Sequence, residues 1–134
     1  MVDSDWPEKF LNMKFKINFD KRAQAWCVII AGQTETADLR EVVLSLWQHD
    51  GYVNSEEAIW DMSKCAANFA FADISRFVDW LAESRKGRGP NKLALVAPSD
   101  LGFGNSRIYA GLQQLRGFEI KVFRDKQSVY EWLG

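Results

Sequence analysis

Three aspartates stand where an apolar run gives way to polar residues: Asp61 in AIWDMS, Asp100 in LALVAPSDLGFG and Asp125 in KVFRDK. Three such carboxylates could hold Mg²⁺, but each also occupies a natural place for a helix cap or a strand end, so no metal is expected from them. The loop that begins at Asp100 carries more. Gly102 and Gly104 would let the backbone approach a bound group, and Arg107, one helical turn on, could hold a carboxylate or phosphate. The same residues also have a purely structural use: Ser99 or Asp100 caps a helix, the glycines shape its entry, and Arg107 pairs with Asp100 or Asp61. The Gly-x-Gly lacks the Lys-Ser/Thr ending of a phosphate-binding P-loop. His49 is the single histidine and has no companions for a zinc site. A Ser63, His49, Asp61 triad fails because Ser63 lies only two residues from Asp61 and nothing marks a nucleophile elbow. No catalytic residue, metal or cofactor is therefore expected, and the chain reads as no enzyme.

Aromatic residues gather close to these positions. Asn68, Phe69 and Phe71 precede one helix and Phe103 opens another, with Tyr109 further along it. Such residues either tuck beneath helices or mark a surface for a partner or an apolar ligand. With Trp60 they could line a cavity. The basic run 85–92 sits at a helix end, where cations complement the helix dipole, and it has no interleaved aromatics to stack on bases.

The elements that must position these residues follow from periodicity. Residues 15–19 alternate and 25–31 are continuously apolar, which predicts an antiparallel hairpin. Thr36 can cap a helix with an inner stripe of Leu39, Val42, Val43, Leu46 and Trp47. Residues 58–62 read as a buried strand followed by a loop over 63–72. Asp73 can cap a second helix with Ile74, Phe77, Val78 and Leu81 inward, ending at Arg85-Lys86-Gly87. Strand 93–97, a helix from Phe103 or Gly104 to Leu115, strand 120–123 and an Asp125-capped helix over 126–133 complete the chain. The fold class is α/β, in the order β-β-α-β-α-β-α-β-α: a mixed sheet with its hairpin first, then parallel strands with helices. Residues 1–13 read as a loosely ordered leader and 14–134 as a single domain. In such sheets ligands collect beyond the carboxyl ends of the parallel strands, so Asp61, Ser63, Asp100 and Arg124-Asp125 are expected to share one rim.

The hairpin-first order, AIWDMS, VAPSDLGFGNSR with the helical Tyr109, and the closing KVFRDKQSVYEWL together resemble the SpoIIAA-like family of the STAS superfamily, the domains of anti-sigma-factor antagonists and sulphate-transporter tails. The resemblance runs from about Lys14 to Gly134. It implies a bacterial regulatory or binding module without a catalytic centre. Antagonists of that family are switched by phosphorylation within Asp-Ser-Ser-Gly, whereas the matching stretch here reads Phe69-Ala70-Phe71-Ala72. The missing hydroxyl argues against such a switch. A more distant similarity, to the CRAL-TRIO lipid carriers, implies an apolar or amphipathic ligand.

Composition limits the partners. Lys plus Arg number 17 against 18 for Asp plus Glu, so no overall field draws the chain to nucleic acid or to an anionic membrane. No apolar run approaches the ~20 residues of a membrane span, residues 1–13 lack a secretory pattern, and two cysteines make no disulfide scaffold. A cytoplasmic protein is expected, with an unknown protein partner or small ligand bound at Asp61, Ser63, Phe69, Phe71, Asp100, Gly102, Phe103, Gly104, Arg107 and Tyr109. A homodimer through a sheet edge or helix face is also to be expected.

Overall fold

The computed structural model describes residues 13–52, 57–67, 69–85 and 92–133; the expected leader up to residue 12, Asn68 and most of the basic run lie outside them, while Met13, expected in the leader, is a buried strand residue. In chain order the elements are β1 (Met13–Asp20), β2 (Ala25–Gln33), α1 (Thr36–Trp47), β3 (Glu57–Ala66), α2 (Phe71–Arg85), β4 (Lys92–Val96), α3 (Asp100–Gln114), β5 (Glu119–Phe123) and α4 (Lys126–Leu133). They form one five-stranded sheet in the order β1-β2-β3-β4-β5. β1 and β2 are antiparallel, and every later pairing is parallel. The mixed sheet and element order are those the periodicity predicts.

Strand order explains why the helices sort unequally. Each crossover from β2 through β5 steps to the next neighbour in the same direction, and right-handed connections then place α1, α2 and α3 on one face. Trp26, Val28, Ile30, Ala58, Trp60, Leu93, Leu95 and Ile120 point to that face and pack with these helices. The alternate residues Ala25, Cys27, Ile59, Ala94, Val96 and Phe123 point the other way, against Val129, Trp132 and Leu133 of α4. Tyr130 on α4 donates its hydroxyl to Asp20 Oδ2 at 2.6 Å, tying the last helix to the first hairpin. At the same turn, Asp20 Oδ1 accepts from the N–H groups of Arg22 and Ala23.

Four boundaries differ from the sequence reading. β3 continues through Ser63 to Ala66 because β2 runs on to Gln33 and pairs with it, Ala31 opposite Lys64 and Gln33 opposite Ala66, beyond a bulge after Ile29. Four of the ten residues of the expected loop 63–72 are thus strand. α1 is capped by Glu35, not Thr36, with the Glu35 N–H donating to Asp38 at 2.9 Å. α2 starts at Phe71, since the Ala70 carbonyl already accepts from Asp73 and Ile74, and Asp73 answers by accepting from the Ala70 N–H. α3 starts at Asp100, with the Ser99 hydroxyl accepting from the Gly102 N–H at 3.0 Å.

Candidate functional site

The start of α3 overturns the expected glycine loop. Gly102 and Gly104 lie within the helix, and neither has a positive φ. What Gly102 supplies is room: a Cβ there would come within 2.9 Å of Ser99 Oγ, the capping atom, whereas at Gly104 it would meet nothing within 4 Å. Both glycines thus belong to the first turns of α3 rather than to a loop. The rim cation is also a different one. Arg124 Nη1 donates to Asp100 Oδ1 at 2.8 Å and to the Pro98 carbonyl at 3.0 Å, and its guanidinium lies 4.2 Å from the centre of the Phe103 ring. Arg107 projects as an exposed residue on α3, and the structural pairing expected of it with Asp100 is made by Arg124 instead. A residue directly after a strand reaches the neighbouring strand's end, while Arg107 points outward from its helix.

Asp61 and Ser63 face the α4 side of the sheet, where Asp61 Oδ1 accepts from both the N–H and the hydroxyl of Ser63. They are separated by the sheet from Phe69 and Tyr109, so eight of the ten expected site residues divide into three groups, with Phe71 and Arg107 apart from them. Asp61 and Ser63 form a local turn-like pair, Asp100, Gly102, Phe103 and Gly104 form the start of α3 with Arg124, and Phe69 and Tyr109 face inward. Phe71, 60% exposed, stands at the start of α2.

The inward group leads to the main feature. Between the sheet and its three helices lies a partly open cavity of about 130 Å³. Ala58, Trp60 and Met62 of β3 and Leu93 and Leu95 of β4 form its floor. Ile74, Phe77 and Leu81 of α2 form its roof, with Leu39, Val43, Leu46 and Trp47 of α1 on one side and Asn105, Ser106, Tyr109 and Gln113 of α3 on the other. The small side chain of Ala58 beneath the large rings of Phe77 and Tyr109, whose centres are 6.0 Å apart, helps leave the space. Trp60, Phe69 and Tyr109 line it as the sequence suggested, whereas Phe71 and Phe103 do not.

The lining is almost entirely apolar, and the exceptions are informative. Gln113 is 1% exposed. Its Nε2 donates to the Tyr109 hydroxyl at 3.0 Å, while its Oε1 is buried with no hydrogen-bond partner among the described residues. Exchanging the amide's oxygen and nitrogen would leave the nitrogen unpartnered in its place, because Tyr109 engages only one end. Asn105 on the same wall has a buried side-chain nitrogen in the same condition. A buried polar atom without a partner costs about 1–3 kcal/mol, which a group entering the cavity would recover. Gln113 is not among the residues that the sequence singles out. Its spacing of four from Tyr109 places both on one helix face, and that was the available signal.

Elsewhere the titratable groups are structural. Burial opposes ionisation of Asp20, but the Tyr130 hydroxyl, the Ala23 and Arg22 N–H groups and the Lys126 charge outweigh it and hold the carboxyl below its usual range. The bond to Asp20, with burial and the Asp20 charge, pushes Tyr130 up to about 12. Burial raises the thiols of Cys27 and Cys65, despite Lys126 Nζ at 3.7 Å from Cys27 Sγ, so neither is an activated nucleophile. His49 stacks edge-on to Trp26 with ring centres 5.1 Å apart. No group of three or more His, Cys, Asp or Glu able to hold a metal occurs among the described residues.

No protein-family model matches this chain, and no curated protein does. Among solved structures, an uncharacterized protein from the DUF3478 family with a SpoIIAA-like fold, from Shewanella loihica PV-4, is similar to it with a TM-score of 0.59 at 14% identity, over 96% of this chain and 98% of that one. The likeness shows the fold: the chain has a SpoIIAA-like architecture. No helix among the described residues is long and apolar enough to cross a membrane.

Proposed function

We propose that this protein is a binding module, not a catalyst, that takes a small and largely apolar molecule into the cavity beneath α2, as a carrier or sensor. The observation that carries this reading is the cavity itself, bounded by apolar side chains on four sides and furnished with a buried amide oxygen at Gln113 that has no partner among the described residues. A packed core at native density has few voids larger than a water molecule, so a space of about 130 Å³ calls for an occupant. Free thiols at Cys27 and Cys65 suit a reducing cytoplasm, the compartment we assign. Native mass spectrometry of protein purified from its own host tests the proposal. An extra mass that leaves on denaturation is expected; a bare polypeptide that also takes up none of a panel of small apolar compounds would end it.

A second reading keeps the rim as the surface for a protein partner. It is favoured by Phe71 and Leu101, 60% and 52% exposed at the starts of α2 and α3. Substituting Phe71→Asp should then abolish co-purification of that partner and leave ligand uptake intact. Unaltered association would remove this reading.

A further inference from the structure

Resting on the cavity reading, we propose that the ligand is a neutral molecule about the size of one aromatic ring, bearing a single hydroxyl or comparable donor-acceptor group, and that Gln113 holds that group. Three observations carry it. A dry cavity of roughly 150 Å³ lined by aliphatic and aromatic side chains accommodates benzene, so the space of about 130 Å³ here fits one ring and not an extended acyl chain. Among the described residues no Lys, Arg or His lines the cavity, and the one charged residue on its boundary is the acidic Glu119. An anionic headgroup would therefore enter without a counter-charge, which argues against carboxylate ligands. Finally, the unpartnered atoms on α3 are of both kinds, an acceptor at Gln113 Oε1 and a donor at Asn105 Nδ2. A hydroxyl donates and accepts at once, so it satisfies Gln113 in either orientation of the amide.

The test is a titration of the full chain with benzene, phenol, benzoate and dodecanoate at neutral pH, followed by calorimetry or ligand-observed NMR. Phenol should bind roughly three- to tenfold more tightly than benzene, the worth of one buried hydrogen bond. Benzoate and dodecanoate should bind more weakly than phenol. In Gln113→Met, which keeps length and removes the amide, phenol should lose its advantage over benzene. Equal binding of benzene and phenol to the native chain overturns the assignment to Gln113 but leaves the cavity as a ligand site. Preferred binding of dodecanoate overturns the size and charge assignment. Failure of all four to bind overturns both this inference and the cavity reading beneath it. Should Gln113→Met not fold, the ranking on the native chain decides alone.

Discussion

The substitution Ala58→Val separates a real cavity from a solid core by the sign of its effect. Ala58 is 1% exposed, stands opposite Leu93 in the sheet and contributes to the cavity floor. An unfilled cavity of about 130 Å³, at ~24 cal/mol per Å³, corresponds to about 3 kcal/mol of forgone packing. Valine adds two carbons that would enter this space, each worth about 0.8 kcal/mol when buried, and its branched side chain suits a strand. Stability should rise by about 0.8–1.6 kcal/mol. In a domain of this size that is a Tm increase of about 3–6 °C, with the urea m-value unchanged. The same two carbons would occupy ligand space, so uptake of any small apolar molecule should weaken as stability rises. Were the region packed solid, overpacking would instead cost about 1–3 kcal/mol. A loss of stability in that range, seen by both urea and thermal unfolding, would refute the reasoning.

Other expectations follow from single contacts. Gly104→Ala should stabilise α3 by up to about 1 kcal/mol, since a Cβ there meets nothing within 4 Å, while Gly102→Ala should destabilise by about 1 kcal/mol by displacing Ser99 Oγ from its cap; urea unfolding of the pair checks the contrast. Arg124→Met should cost about 1 kcal/mol through its exposed ion pair and its contact with Phe103, whereas Arg107→Met should leave the midpoint unchanged. Tyr130→Phe removes the bond to Asp20 and should cost about 1 kcal/mol at neutral pH. Tyr130 has a raised folded pKa, so its contribution is complete below the unfolded value near 10 and is lost as pH climbs through about 12. Asp20 has a lowered one, so its contribution is present above the ordinary carboxylate value and is lost as pH falls through the folded one. Native and Tyr130→Phe stabilities should accordingly converge at both ends of a pH series.

The architecture was legible because its signals are local. The inner stripes of α1 and α2, Leu39 to Leu46 and Ile74 to Leu81, are spaced as a helix requires and are buried as that spacing implies. The alternation of 15–19 and the apolar run after residue 24 likewise fixed the hairpin. Where the reading failed, a distant contact had decided. Nothing near Ser63 tells that β2 continues to Gln33 and draws β3 along with it, and the reach of Arg124 to Asp100 depends on two strands lying side by side. Glycines at 102 and 104 suggested a loop because their helix propensity is low, yet the Ser99 cap and the fit of Gly102 against it place them in α3. The cavity was anticipated through Trp60, Phe69 and Tyr109. Its volume was not, because a void is a property of how α1, α2 and α3 stand over the sheet together. Gln113 escaped for the same reason: a glutamine on a helix is ordinary until its face is known to be the inner one.

The central claim is that the space beneath α2 admits a small molecule. A crystal of the protein pressurised with xenon tests this most directly, because xenon enters apolar cavities without needing a specific partner. The account expects a xenon site bounded by Ala58, Trp60, Phe77 and Tyr109. A well-ordered core in which those four side chains touch one another and no xenon enters would contradict it.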